Sequence, residues 1–129
     1  MDLRILIVDD SETTRRIIRA IVRSREWTVC GEAETGGHGI AKFEEMKPDI
    51  VLIDLAMPDM NGLEVARRMS SINPLVPLVL FTILDVKDLE SAASSAGLCA
   101  VVSKAQAWDL IRTIEIAARK YREINPNIQ

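Results

Sequence analysis

The sequence predicts one α/β domain in which a doubly wound parallel sheet of five strands is covered on both faces by five helices. Short, largely apolar runs alternate five times along the chain with longer segments whose apolar residues recur at helical spacing. The run at residues 50–53 is apolar throughout, which is typical of a strand buried on both faces of a parallel sheet. A chain of 129 residues is long enough for one compact core and too short for two.

The first strand is predicted at residues 3–8, directly before Asp9 and Asp10. Ser11 is expected to cap the helix that follows, because its side chain accepts hydrogen bonds from the free backbone N–H groups of a first helical turn. Four apolar residues recur at helical spacing on this helix: Ile17, Ile18, Ile21 and Val22. Four arginines are assigned to its solvent face: Arg15, Arg16, Arg19 and Arg23.

A second strand is predicted at residues 27–33, followed by a flexible loop at residues 36–39. This glycine-rich segment does not fit a phosphate-binding loop, because it lacks the Gly-Lys-Ser/Thr ending. Its histidine, His38, is expected to be an exposed loop residue. The helix that follows carries its apolar residues at Ile40, Phe43 and Met46. The central strand then ends at Asp54.

Two further helices are predicted, one on each side of a fourth strand at residues 77–82. The earlier helix begins after Gly62 and carries its apolar residues at Leu63, Val65, Ala66 and Met69. The later helix is expected to be capped by Asp85 and to end at Gly97, since Asp favours the start of a helix and Gly the residue after its end.

The fifth strand is predicted at residues 99–103, directly before Lys104. A long last helix carries an apolar stripe formed by Leu110, Ile111, Ile114, Ala117, Ala118 and Tyr121. Trp108 and Tyr121 are interpreted as packing residues. The domain is expected to span residues 1–123, with a frayed tail at residues 124–129.

Composition excludes several classes of function. A formal charge of −3 lacks the basic surplus that direct nucleic-acid binding by this chain would need. No apolar run approaches the roughly 20 residues that span a bilayer, and the start lacks the basic-then-apolar order of a signal peptide. A cytoplasmic protein without membrane contact is therefore expected. Cys30 and Cys99 have no metal-ligand spacing and are predicted to be reduced and buried.

Polar residues mark four of the predicted strand ends: Asp9, Asp10, Asp54, Thr82 and Lys104. Because parallel strands all end at one edge of the sheet, we expect these side chains to lie close together. Three carboxylates in one place repel each other, so at neutral pH the cluster needs either raised pKa values or a bound cation. A hard divalent ion such as Mg²⁺ prefers carboxylate and carbonyl oxygens, and Lys104 would add a fixed positive charge.

Such a site is suited to phosphoryl transfer, in which the protein mainly positions groups and stabilises charge on oxygen atoms. Asp54 is predicted to be the nucleophile that attacks phosphorus and forms an acyl phosphate. Lys104 and the metal would neutralise the incoming oxygens, and the Thr82 hydroxyl would donate a hydrogen bond to one of them.

These residues give the chain its resemblance to a receiver domain of a two-component response regulator, in the CheY-like superfamily, with the look of NarL/FixJ-type receivers. The matching motifs are Val8-Asp9-Asp10, Asp54-Leu55-Ala56-Met57-Pro58, Asn61-Gly62, Thr82 and Lys104. The resemblance implies a flavodoxin-like sheet of order 2-1-3-4-5. It also implies Mg²⁺ held by Asp10, Asp54 and the Ala56 backbone carbonyl, with Asp9 acting through water, and no other cofactor.

The implied partner is a sensor histidine kinase or a phosphotransfer protein, and the chain is expected to be a phosphoacceptor rather than an enzyme with turnover. The resemblance also allows an output domain or effector protein and a phosphorylation-dependent homodimer. Three positions depart from the family pattern. Val101 replaces a frequent aromatic residue, Ala105 replaces a common proline, and the bulky Ile83 follows Thr82 where a small residue is usual.

Two other functions stay open at this point. A pseudo-receiver that acts only as a protein-interaction module fits the missing aromatic residue at Val101. A phosphatase of the haloacid dehalogenase type also uses an Asp nucleophile and Mg²⁺, but its acid/base Asp would lie where Ala56 is found. A flavin-binding flavodoxin is a weaker alternative than these two, because three carboxylates would repel the flavin phosphate.

Overall fold

The computed structural model describes residues 2–124 and contains five strands, five α-helices and one 3-10 turn. In chain order these elements are β1 Arg4–Val8, α1 Glu12–Ser24, β2 Thr28–Ala33, α2 Gly36–Met46, β3 Ile50–Ile53, α3 Gly62–Ile72, β4 Leu78–Thr82, α4 Val86–Ser95, β5 Ala100–Ser103, the 3-10 turn Lys104–Gln106, and α5 Asp109–Ile124. All strand pairs are parallel, and the sheet has the order β2-β1-β3-β4-β5. The predicted fold and strand order are confirmed.

The register of the sheet aligns the strand ends that carry the polar residues. Val8 pairs with Ala33 on one side and with Ile53 on the other. At the far side of the sheet, Thr82 pairs with Ser103. Because all five strands run the same way, the residues that follow these pairs meet at one edge.

The core consists of two apolar layers, one on each face of the sheet. Successive residues of a strand point to opposite faces, so Ile5 and Ile7 pack in the layer beneath α1 and α5. Leu6 and Val8 pack in the other layer, against α2, α3 and α4. The central strand is buried at every position, as its sequence indicated.

Most predicted helix ends are confirmed. The Ser11 hydroxyl oxygen accepts from the Thr14 N–H at 3.2 Å, and Asp85 accepts from the Lys87 N–H at 3.0 Å. Gly97 has a positive φ of 93° after the end of α4, a conformation that favours glycine. Four strands begin one residue later than predicted, which is the usual uncertainty of element boundaries.

The prediction of a loop at residues 36–39 is wrong, because these residues form the first turn of α2. Thr35 caps this helix and accepts from the His38 N–H at 3.1 Å. Asp59, from the segment after β3, accepts from the Gly36 and Gly37 N–H groups at 2.9 Å each. Two caps therefore offset the poor helix propensity of the glycines. His38 is exposed, as expected, but in a helix.

Three predictions of burial are wrong. Arg15 lies on the buried face of α1, with 6% of its surface exposed. Cys99 precedes β5 and is exposed, while Cys30 is partly buried; both are free thiols. Trp108 is 70% exposed, because it lies in the turn before α5 begins and so misses the buried stripe of that helix. Tyr121 is partly buried, in line with a packing role.

No helix among the described residues is long and apolar enough to span a membrane. The predicted boundary of the domain, after residue 123, lies within the last described turn of α5, Asp109–Ile124. The rest of the predicted tail, residues 125–129, lies outside the described part of the chain.

Candidate functional site

Five polar side chains meet at the carboxyl edge of the sheet, as the sequence predicted. Asp9 and Asp10 follow β1, Asp54 follows β3, Thr82 ends β4, and Lys104 follows β5. Asp9, Asp54 and Thr82 are almost fully buried, whereas Asp10 is exposed. One carboxylate oxygen from each aspartate lies within 4.8 Å of those of the other two. The fold therefore brings three acidic groups from two strands into one cluster.

Lys104 joins two of the three carboxylates. Its Nζ lies 3.0 Å from Asp9 Oδ2 and 3.4 Å from Asp54 Oδ1. The lysine side chain is 16% exposed, so water screens these ion pairs less than it would on an open surface. One lysine faces three carboxylates here, and the cluster keeps a surplus of negative charge.

Asp9 is held at each of its polar groups. Its backbone N–H donates to the Ala33 carbonyl at 2.9 Å, and its Oδ1 accepts from the Ser11 N–H at 2.8 Å. Its Oδ2 pairs with Lys104, and its carbonyl accepts from Arg15 Nη1 at 2.8 Å. Both carboxylate oxygens thus have protein partners, which leaves this side chain less available than Asp10 to ligate an ion directly.

Asp54 is fixed through its backbone. Its N–H donates to the Val8 carbonyl at 2.9 Å, which continues the β1–β3 pairing by one residue. Beyond Asp54 the chain turns back, and the Gly62 N–H donates to the Leu55 carbonyl at 2.7 Å. A Cβ atom at Gly62 would overlap the Asp54 carbonyl oxygen, so only glycine permits this close approach.

The electrostatics of the cluster act on the Asp54 carboxyl group. Burial raises the pKa of Asp54, and the negative charges of Asp9 and Asp10 raise it further, while Lys104 lowers it. The net shift is upward, because desolvation and repulsion outweigh the single lysine. A hard cation at these oxygens would relieve the repulsion, so the donor set fits a divalent ion. Ala56 is exposed in the loop beside this cluster.

Thr82 and the positions that depart from the family pattern lie on the other side of the site. The Thr82 hydroxyl oxygen accepts from the Leu84 N–H at 3.2 Å, which anchors the start of the β4–α4 loop. Ile83 is 80% exposed. Val101 is partly buried on β5 and packs on the apolar layer that contains α4. The Ala105 N–H donates to Ser103 Oγ at 3.1 Å, a bond that proline could not form.

Two residues that hold the site in place were missed by sequence reasoning. Arg15 binds the Asp9 carbonyl, and its position three and seven residues before the buried Ile18 and Val22 was an available signal of burial. Asp59 ties the loop after β3 to the start of α2. Its partners lie 22 and 23 residues away, so no local pattern marked it.

Comparison with known sequences shows which protein family this chain matches. A model of the response regulator receiver domain matches residues 5–115. The chain is 32% identical over 118 residues to the chemotaxis protein CheY of Listeria monocytogenes, covering 91% of this chain and 99% of that protein. It is 33% identical over 122 residues to the transcriptional regulatory protein PdtaR of Mycobacterium tuberculosis, covering 94% of this chain but 59% of that protein.

Solved structures agree with these matches. A two-component response regulator of the LuxR family from Aurantimonas superposes with a TM-score of 0.88 at 27% identity, covering 93% of this chain and 87% of that one. A CheY-like response regulator receiver domain protein from Methanospirillum hungatei gives a TM-score of 0.86 at 25% identity, covering 95% of this chain and 98% of that one.

Proposed function

The chain belongs to the response regulator receiver domains of two-component signalling, and on this premise we propose that Asp54 accepts the phosphoryl group. The observation that carries the proposal is the position of this carboxylate. It is buried at the end of the central strand, 3.4 Å from Lys104 Nζ and beside two further carboxylates. The donor would be a histidine kinase or a phosphotransfer protein.

In the proposed reaction, an Asp54 carboxylate oxygen attacks the phosphorus of a phosphohistidine. The new O–P bond gives an acyl phosphate, the P–N bond breaks, and the imidazole leaves with its electron pair. The Lys104 ammonium group neutralises charge on the phosphoryl oxygens. Thr82 Oγ accepts from the Leu84 N–H, which leaves its O–H free to donate to one of those oxygens.

We further propose that Mg²⁺ is held by Asp10, Asp54 and the Ala56 backbone carbonyl, with Asp9 acting through water. The exposure of Asp10 supports a direct role for this residue. The role of Asp9 through water is supported by its hydrogen bond from Ser11 and its ion pair with Lys104, which occupy both oxygens. When bound, the ion supplies positive charge that neutralises the phosphoryl oxygens.

A phosphoacceptor with slow release fits this site better than an Asp-nucleophile phosphatase. The phosphatase needs an acid/base group two residues after its nucleophile, and Ala56 cannot transfer a proton. The complete set of Asp10, Asp54 and Lys104 likewise favours a phosphorylated switch over a pseudo-receiver. The phosphorylated chain would act on an effector protein or an output domain.

The test is the intact mass of the chain after incubation with acetyl phosphate and Mg²⁺. We expect the wild type to gain the mass of one phosphoryl group and Asp54→Asn to gain none. Asp85→Asn is the matched control, because the Asp85 carboxylate caps α4, is not one of the three clustered aspartates, and can be replaced by Asn, which also caps helices. Labelling that persists in Asp54→Asn would show that the phosphoacceptor is another residue.

A further inference from the structure

Arg15 is a buried cation that the chemistry proposed above does not use. Its side chain is 8% exposed, although it was assigned to the solvent face of α1 from the sequence. Burial of a guanidinium group is costly unless its N–H groups find partners. Arg15 therefore needs a set of acceptors, and these acceptors determine where its charge and its hydrogen bonds act.

Three carboxylates and one backbone carbonyl surround the Arg15 guanidinium. Its Nε donates to Glu32 at 3.1 Å, and its Nη2 donates to Glu12 at 2.6 Å and to Glu34 at 3.3 Å. Its Nη1 donates to the Asp9 carbonyl at 2.8 Å, and this bond is buried. The guanidinium thus links α1 and the end of β2 to the residue that begins the acidic cluster.

The charge of Arg15 is neutralised within this group. Arg19 shares two of the carboxylates, with Nη2 2.7 Å from Glu12 and Nη1 2.6 Å from Glu32. Two arginines therefore face three glutamates, and the group carries no surplus positive charge to offset the aspartates. Any influence of Arg15 on the site must act through the geometry of its bond to the Asp9 carbonyl.

That bond controls the peptide plane that connects the two aspartates after β1. The Asp9 carbonyl and the Asp10 N–H belong to one planar peptide group, so fixing the direction of the carbonyl fixes the start of Asp10. The Asp9 N–H is held separately by the Ala33 carbonyl. Asp10 itself is exposed, yet one of its carboxylate oxygens lies within 4.8 Å of the Asp9 and Asp54 oxygens.

We propose that Arg15 is a positioning residue that orients the Asp9–Asp10 peptide and thereby places the Asp10 carboxylate for the divalent ion. The proposal rests on the proposed function, in which Asp10 ligates Mg²⁺. Partners behind the ligands of a metal site hold those ligands in place, and their loss typically weakens metal binding. Arg15 has this relation to Asp10 through a single buried hydrogen bond.

The experiment compares Arg15→Met with Arg19→Met in the full chain. Both substitutions remove one arginine from the same group of glutamates, but only Arg15 contacts the Asp9 carbonyl. Mg²⁺ is titrated while backbone amide NMR shifts are followed, at a temperature where circular dichroism shows each variant folded. We expect the Kd for Mg²⁺ to rise about tenfold in Arg15→Met and to stay near the wild-type value in Arg19→Met.

Two further measurements separate positioning from mere loss of stability. In the metal-free protein, the Asp10 amide nitrogen shift should move in Arg15→Met and not in Arg19→Met, because only the former frees the Asp9 carbonyl. If Arg15→Met fails to fold, Arg15→Lys replaces it in the Mg²⁺ titration. Lysine keeps the charge but lacks the planar fork that serves the carbonyl and the glutamates together, so we expect an intermediate Kd.

The outcomes distinguish this proposal from the proposed function. Normal Mg²⁺ binding by the wild type, with an unchanged Kd in folded Arg15→Met or an equal loss in Arg19→Met, overturns the role of Arg15 alone. A wild-type chain with no saturable response to Mg²⁺ and no phosphorylation by acetyl phosphate overturns the proposed function together with its metal site. A raised Kd confined to the Arg15 variants, with the Asp10 amide shifted, supports both.

Discussion

The two sides of the site differ in how firmly they are held. On the acidic side, which comprises Asp9, Asp10 and Asp54 with the loops after β1 and β3, each polar group of Asp9 has a partner. On the α4 side, which comprises the β4–α4 loop and α4, Ile83 and Leu84 are 80% and 50% exposed. Helix α3 buries four residues, whereas α4, of nearly the same length, buries only Ala93.

This difference indicates that the two sides have different roles, one as a fixed site and the other as a segment that can change conformation. The phosphoryl transfer proposed above needs charged groups that are already in place, and the acidic side would supply them. A segment with few buried apolar contacts opens at a lower free energy than the rest of a domain. The α4 side has this property, and Thr82 connects it to the site through Leu84. We expect a conformational response to phosphorylation to occur on the α4 side. This response would not use an aromatic side chain on β5, because position 101 is a valine.

Removing the lysine that joins the carboxylates should give the largest effect. Lys104→Met leaves Asp9 and Asp54 without their shared counter-charge, and we expect phosphorylation by acetyl phosphate to slow about 100-fold. The rate is measured by intact mass against Lys120→Met, an exposed lysine on α5. Equal rates in the two variants would show that Lys104 does not act on the phosphoryl group.

A pair of glycine substitutions tests the rigidity of the acidic side. Gly62→Ala places a methyl group against the Asp54 carbonyl, so we expect a loss of about 2 kcal/mol in the free energy of unfolding. Gly37→Ala, at the exposed start of α2, places its methyl group at ordinary contact distance and should be neutral or slightly stabilising. Urea unfolding measures both, and a neutral Gly62→Ala would mean that the loop after β3 is not tightly packed.

Amide hydrogen exchange tests the α4 side directly. We expect amides in α4 to exchange at least about tenfold faster than those in α3, because α4 has fewer buried residues to lose on opening. The measurement is made by NMR on the metal-free chain, with α1 as an additional reference. Similar protection in α3 and α4 would remove the proposed difference in mobility.

The smallest effect expected is the pH dependence of stability. The folded-state pKa of Asp54 is raised by burial, so the folded chain binds this proton more tightly than the unfolded chain, and stability rises as pH falls through the folded pKa. At neutral pH, Asp54→Asn removes the cost of burying a charged carboxylate beside Asp9 and Asp10 and should raise the free energy of unfolding. The gain should shrink as the pH is lowered, as measured by urea unfolding.

Asp59, on the same loop as Asp54, should show the opposite dependence of stability on pH. The N–H groups of Gly37 and Gly36 hold the pKa of Asp59 below its usual range. Its contribution to stability is therefore present above the unfolded-state pKa and is lost as pH falls through the folded pKa. Asp59→Asn should destabilise the chain at neutral pH, and the difference from wild type should vanish in acid. Stabilisation by both substitutions would contradict the opposite signs.

Several features followed from the sequence because they depend on short spans of chain. The caps of α1 and α4 involve residues at most three positions apart, Ser11 with Thr14 and Asp85 with Lys87. The strands were marked by apolar runs of a few residues. The common edge of the site required only that the strands be parallel, since their carboxyl ends then coincide whatever the packing of the helices.

The tertiary structure alone decided how the site is supported. Arg15 binds Glu32 and Glu34, 17 and 19 residues away, and Asp59 reaches Gly36 across 23 residues. Helical periodicity could place Arg15 beside Ile18. Only the approach of β2 to α1, however, supplied the carboxylates that offset the desolvation of its guanidinium group. Likewise, the first turn of α2 at residues 36–39 has a local cap in Thr35, but its second cap, Asp59, comes from the loop after β3. Such contacts depend on sheet register and helix packing, which act between segments that the sequence does not place together.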